Sequence, residues 1–164
     1  MAIPTYYYES ATQVTPAWLA AHHLSAVLVD LDNTTLPRYT EEIPADICAW
    51  AATLSQADIP VALLSNNHKK RVQHYAEILG FLPVSNAIKP LPIGFLRALR
   101  ALKVSRHHVV MVGDQFFTDV CGAALLGIPS VMVLPLSHKD LAHTLILRKL
   151  EKLFMKHRAV EEPS

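Results

Sequence analysis

The chain has 164 residues, of which 51% are hydrophobic and 18% charged, and a formal net charge of +1. Such a chain can bury a core without a disulfide or metal staple, and its composition excludes a disordered chain. The balanced charge supplies no basic field, so no nucleic-acid partner is expected. Cys48 and Cys121 form neither a C-x-x-C pair nor a zinc spacing. Met1 to Glu9 carries no basic and apolar leader, and no apolar run approaches the roughly 18 residues of a membrane span. The expectation is a reduced, cytoplasmic protein with residues 1–164 in a single domain.

In chain order, Ala26–Val29 is a short branched apolar run and reads as a buried strand. Pro44 opens a helix with Ile47, Trp50, Ala51 and Leu54 on one face. Val61–Leu64 reads as a second buried strand. Asn67 is placed to cap a helix with Val72, Tyr75, Ile78 and Leu79 inward and Gly80 as its stop. A weak strand passes through residues 84–88, and Pro92 opens a helix with Phe95, Leu96, Leu99 and Leu102 as its stripe. Residues 109–112 form a strand, 117–126 a helix ended by Gly127, and 130–134 a strand. Short buried strands separated by single helices predict a three-layer α/β fold, a parallel sheet flanked by helices. His22-His23 and His107-His108 read as element-edge residues, and the two cysteines as core.

Ligands of such sheets bind beyond the carboxyl ends of the strands. Asp30-Leu31-Asp32-Asn33-Thr34 follows the first strand, Ser65-Asn66-Asn67 the second, Lys89-Pro90 the weak third, and Gly113-Asp114, then Asp119, the fourth. In extended chain Asp30 and Asp32 share a face, where they repel unless a cation or a shared proton intervenes. Asp114 adds a third hard oxygen donor, and such a set suits Mg²⁺ better than zinc or copper. The Ser65 hydroxyl and the amides of Asn66 and Asn67 at a helix start form an anion seat, and Lys89 supplies a mobile positive charge. Together these parts describe phosphoryl transfer by positioning and charge neutralisation. Singly, each has an ordinary account as a solvated turn, a helix cap, a loop or a first-turn acid. Their recurrence at successive strand ends is what selects the site reading.

These motifs resemble those of the haloacid dehalogenase-like (HAD) phosphatases over about residues 24–135. Leu64-Ser65-Asn66-Asn67, Lys89-Pro90-Leu91-Pro92, Val112-Gly113-Asp114-Gln115 and Thr118-Asp119-Val120 are similar to the YqeG family of subclass IIIA, whose relatives include phosphatidylglycerophosphate phosphatases. Thr35 departs from the aliphatic residue usual there. The resemblance implies a HAD-like fold with Asp30 as nucleophile, giving an aspartyl-phosphate, and Asp32 as acid and then base. It implies Mg²⁺ on the Asp30 and Asp114 carboxylates and the Asp32 carbonyl. Thr34, Ser65, Asn66 and Lys89 would hold the phosphate, with Gly113 and Asp119 in support.

Thr34 lies 31 positions before Ser65, and Ser65 lies 24 before Lys89; each gap is consumed by one helix and one strand, so no cap domain fits. An open site can accept a large or surface-bound phosphate. Residues 140–158 read as a helix with Ile146, Leu147, Leu150, Leu153 and Phe154 opposite Arg148, Lys149, Lys152 and Lys156. Such a helix packs on the sheet or makes peripheral contact with an anionic membrane, in which case a lipid head group is the natural substrate. The alternatives are a soluble sugar or nucleotide phosphate as substrate, or a receiver-like phospho-accepting module. The sequence leaves the oligomeric state and the role of Tyr6-Tyr7-Tyr8 open.

Overall fold

The computed structural model describes residues 4–137. Its elements are β1 (Tyr6–Tyr8), α1 (Pro16–Ala21), β2 (Ala26–Val29), α2 (Ala45–Gln56), β3 (Val61–Leu64), α3 (Lys69–Leu79), β4 (Leu82–Val84), α4 (Pro92–Leu102), β5 (Val109–Gly113), α5 (Cys121–Leu125) and β6 (Ser130–Val133). All strands are parallel, in the order β1-β6-β5-β2-β3-β4. The chain reverses direction across the sheet between β2 and β5, which is where ligands gather in folds of this class.

Alternation along the strands builds the three layers. Val27, Val29, Leu63, Val110 and Val112 point to one side and pack with Leu19, Trp50, Leu54 and Tyr75 from α1, α2 and α3. Ala26, Leu28, Ala62, Leu64 and Met111 point to the other, against Phe95, Ala98, Leu102 and Ala123 from α4 and α5. Between β2 and β3 the chain contains a loop and α2. No described helix is long and apolar enough to cross a membrane. The segment 140–158 lies outside the described residues.

Several local expectations are corrected. The Tyr run, whose role the sequence leaves open, forms β1, paired with β6, where Tyr8 is buried and receives a hydrogen bond from Trp18 Nε1 at 2.7 Å. The weak third strand spans Leu82–Val84 instead of 84–88, because Asn86 and Ile88 adopt left-handed φ angles of 47° and 56° that end extended structure. The cap of α3 is His68, whose Nδ1 accepts from Arg71 N, leaving Asn67 for another task. The buried stripe of α3 is Val72, Tyr75, Ala76 and Leu79, so Ile78 faces out; on α4, Gly94, Phe95, Ala98 and Leu102 face in and Leu96 faces out. Cys48 is exposed, beside the inward face of α2, and Cys121 is half-buried. The last helix is split into a π-helical turn, Phe116–Val120, and α5.

Candidate active site

The strand ends bring together residues that are far apart in sequence. Asp30 N donates to Val112 O at 3.0 Å, extending the β2–β5 ladder by one residue and setting Asp30 beside the end of β5. The buried Thr35 hydroxyl is 3.1 Å from Asp30 O and 3.2 Å from Leu31 O, so the polar departure from the family pattern has partners within the turn. Asn33 holds that turn with φ 61°, a left-handed conformation Asn tolerates, and donates its N–H to Leu36 O at 2.7 Å.

Lys89 is the centre of the charge arrangement. Its ammonium lies 2.5 Å from Asp30 Oδ1 and 2.6 Å from Asp119 Oδ1, and all three side chains are buried. Asn66 fixes the Lys89 backbone from both sides, accepting from its N–H at 2.7 Å and donating to its carbonyl at 3.2 Å. Asp119 also accepts from Gln115 N at 3.1 Å, so the π-helical turn aims it at Lys89. Gly113 makes this approach feasible: a Cβ there would collide with the Asp119 carboxylate. Burial depresses the Lys89 pKa, but Asp119 and Asp30 outweigh it and hold the ammonium above the ordinary lysine range. Burial pushes the Asp30 carboxyl up to about 7; Lys89 pulls it down, while Asp119 and Asp32 repel its charge.

The second aspartate is directed elsewhere. Asp32 accepts a hydrogen bond from Asn67 Nδ2 and lies 3.4 Å from Arg71 Nη2. Arg71 in turn lies 3.6 Å from Glu41 and 5.3 Å from the centre of the Tyr75 ring, and Tyr75 donates to Glu41 Oε2 at 2.5 Å. Ser65 Oγ accepts from Asn67 N at 3.1 Å. A pocket of about 290 Å³ lies over these groups, lined by Asp30, Asp32, Ser65, Asn66, Asn67 and Lys89, with Arg38, Gln115 and Thr118 completing it. Thr34 is fully buried, its hydroxyl 3.5 Å from Asp114 Oδ1.

The parts of Arg38, Arg71, Gln115 and Thr118 did not emerge from the sequence. Gln115 and Thr118 stand inside the motifs quoted for the family resemblance, whereas Arg38, in the loop after β2, and Arg71, on α3, carry no motif. The sequence assigns Asn67 a helix cap and an anion-binding amide, whereas its side chain meets Asp32.

The donor set fits a divalent cation. Carboxylate oxygens of Asp30, Asp114 and Asp119 lie within 4.8 Å of one another, all buried. Three buried carboxylates against one ammonium leave two negative charges to be balanced, and oxygen-only ligation suits a hard ion. Asp119 enters this cluster by carboxylate, while the Asp32 carboxylate is engaged by Asn67 and Arg71.

Comparison with known proteins supports the fold and the reaction class. Over 150 residues, the chain is 28% identical to "Probable phosphatase YqeG" of Bacillus subtilis, covering 92% of this chain and 87% of that protein. An uncharacterised protein from Listeria monocytogenes has a similar fold, with TM-score 0.55 at 20% identity, over 77% of this chain and 99% of that one. So does the cobalt-bound deoxy-D-mannose-octulosonate 8-phosphate phosphatase YrbI from Haemophilus influenzae, with TM-score 0.53 at 15% identity, over 85% and 90% of the two chains. The family model for haloacid dehalogenase-like hydrolases matches residues 40–127, just over half the chain, a span containing Ser65, Lys89, Asp114 and Asp119. With the parallel sheet and the strand-end cluster, that match makes the chain a member of the haloacid dehalogenase-like hydrolases.

Proposed function

We propose that this hydrolase is a Mg²⁺-dependent phosphomonoesterase working through Asp30. The observation that carries the reading is the buried Lys89 ammonium, 2.5 Å from Asp30 and backed by Asp119, in a pocket whose rim includes Ser65 and Asp32. The resemblance to a protein named a probable phosphatase supports the same reaction class.

The ester's phosphoryl group enters with its oxygens toward Lys89, the Ser65 hydroxyl and the amides after it. A carboxylate oxygen of Asp30 forms a bond to phosphorus as the bond to the ester oxygen breaks. Asp32 gives a proton to the departing alkoxide. It then accepts a proton from water as that water attacks phosphorus, and the Asp30–phosphorus bond breaks to release inorganic phosphate. Asp30, Asp114 and the Asp32 carbonyl would hold Mg²⁺, which would supply charge neutralisation for the phosphoryl group. Asn67 and Arg71 orient Asp32, Asn66 and Asp119 orient Lys89, and Thr34 supports Asp114. The substrate class inferred from the family resemblance is a lipid phosphomonoester of the phosphatidylglycerophosphate type; a soluble sugar or nucleotide phosphate is the competing class.

The test is turnover of an aryl phosphate with and without Mg²⁺, alongside Asp30→Asn, followed by a panel of lipid, sugar and nucleotide phosphates. Metal-dependent turnover lost in Asp30→Asn is expected. Sustained turnover in that variant would remove the nucleophile assignment.

A further inference from the structure

The helix that follows the phosphate-side lysine carries a surface the hydrolytic chemistry does not use. The inward stripe of α4 leaves Ile93, Leu96, Arg97, Arg100 and Lys103 on its outward side, all exposed. The apolar pair lies nearest the helix start, beside exposed Leu91 and Ile88, which bracket the Lys89-Pro90 step. Ile88, Leu91, Ile93 and Leu96 are 58%, 53%, 54% and 44% exposed, a costly concentration of aliphatic surface at one corner of the site edge. The basic residues follow along the same helix. No acidic residue stands anywhere between Glu77 and Asp114.

We propose that this α4 corner docks the protein on an anionic lipid bilayer, presenting the pocket to phosphate groups at the membrane surface. What the bilayer delivers to the pocket rests on the phosphatase reading; the docking itself does not. Charge complementarity selects the occupant. Aliphatic side chains leading and cations behind match the boundary between acyl chains and anionic head groups. A second copy meeting the same face would set Arg100 and Lys103 against their own equivalents. Residues 138–164 hold six Lys and Arg against four Asp and Glu, so they offer no net negative charge to match this helix. The described chain ends at the site edge, where Leu136 N donates to Asn33 O at 2.9 Å and Ser137 Oγ to Asn33 Oδ1 at 2.7 Å. An acidic protein would meet the charge, but aliphatic side chains without aromatic anchors are a poor core for a protein interface.

The experiment is co-sedimentation of the full-length protein with vesicles of pure phosphatidylcholine or of phosphatidylcholine mixed with phosphatidylglycerol. Turnover of a soluble aryl phosphate is measured on the same samples. Binding is expected only to the anionic vesicles and should fall with salt. Each basic residue near such a surface contributes roughly fivefold, so Arg100→Gln with Lys103→Gln should weaken binding roughly 25-fold. Ile93→Ser with Leu96→Ser should weaken it at least tenfold by removing the buried apolar area. Both pairs should leave aryl phosphate turnover unchanged, since these exposed side chains touch nothing in the pocket. Unaltered vesicle binding in both pairs would overturn the proposal and assign the contact to another segment. Absence of binding to anionic vesicles, or self-association abolished by the same substitutions, would overturn it equally. Loss of aryl phosphate turnover in the unmodified protein would instead refute the phosphatase reading and leave the docking result to stand by itself.

Discussion

Replacing Asp119 by asparagine removes one charge from the buried Asp30–Lys89–Asp119 triad and keeps its shape. Lys89 is sandwiched at 2.5 and 2.6 Å, with side-chain exposures of 3%, 7% and 1% for Lys89, Asp30 and Asp119. A hydrogen bond to a charged group is worth about 1.5–3 kcal/mol net, and breaking a buried ion pair outright costs about 3–5 kcal/mol. Asparagine still offers an acceptor and Asp30 still pairs with Lys89, so the lower range applies when Mg²⁺ balances the site. For a chain of this length that is a fall in Tm of roughly 3–12 °C. Without Mg²⁺ the change should be smaller or absent, because Asp119 also repels the Asp30 charge and its neutralisation relieves that repulsion. With Lys89 less firmly aimed, turnover should fall on the order of a hundredfold. Differential scanning fluorimetry with and without Mg²⁺, combined with steady-state aryl phosphate hydrolysis, measures both. Unchanged Tm in saturating Mg²⁺ together with turnover within threefold of the parent would refute the role of Asp119 as the support of Lys89.

Three further outcomes follow from the same geometry. Gly113→Ala should reproduce the Asp119→Asn loss of turnover, since its Cβ would occupy the space of the Asp119 carboxylate; full activity would show that the two loops separate easily. Thr35→Val should cost only about 1 kcal/mol in urea unfolding and retain turnover, because the hydroxyl bonds to main-chain carbonyls and not to the pocket; a large loss of turnover would contradict this. Asp30, pushed up to about 7 by burial, must lose its proton for a cation to bind. Its folded value lies above the ordinary carboxylate range, so protonation competes with the cation below about pH 7. Mg²⁺ affinity should therefore drop by about tenfold per unit there and level off above it. A flat affinity between about pH 5.5 and about pH 8, read by calorimetry, would contradict that competition.

The sheet was legible in the sequence wherever strands are buried on both faces. Ala26–Val29 and Val61–Leu64 match the observed strands to the residue, because continuous branched runs have few other uses in a chain this long. β1 was not legible: its three tyrosines carry no strand-specific period, and it pairs with β6, Tyr6 with Val131, far along the chain. Helix faces were read well where the core is thick, as at Ile47, Trp50 and Leu54, and poorly at Ile78 and Leu96, where an apolar residue adjacent to the stripe is simply exposed. At the site, polar residues directly after strands were identifiable because topology alone delivers them to one edge. The Asp32–Arg71–Glu41–Tyr75 chain was not, since it depends on how a helix and a surface loop approach each other.

The central claim is that the phosphoryl group is carried on Asp30. Rapid acid quenching during turnover in Mg²⁺, followed by proteolysis and mass spectrometry, locates that group directly. A phosphorylated peptide with the modification on Asp30, formed and consumed at rates matching turnover and absent from Asp30→Asn, is the predicted result. The modification on Asp32 or Asp114 instead, or undiminished turnover in Asp30→Asn, would contradict it.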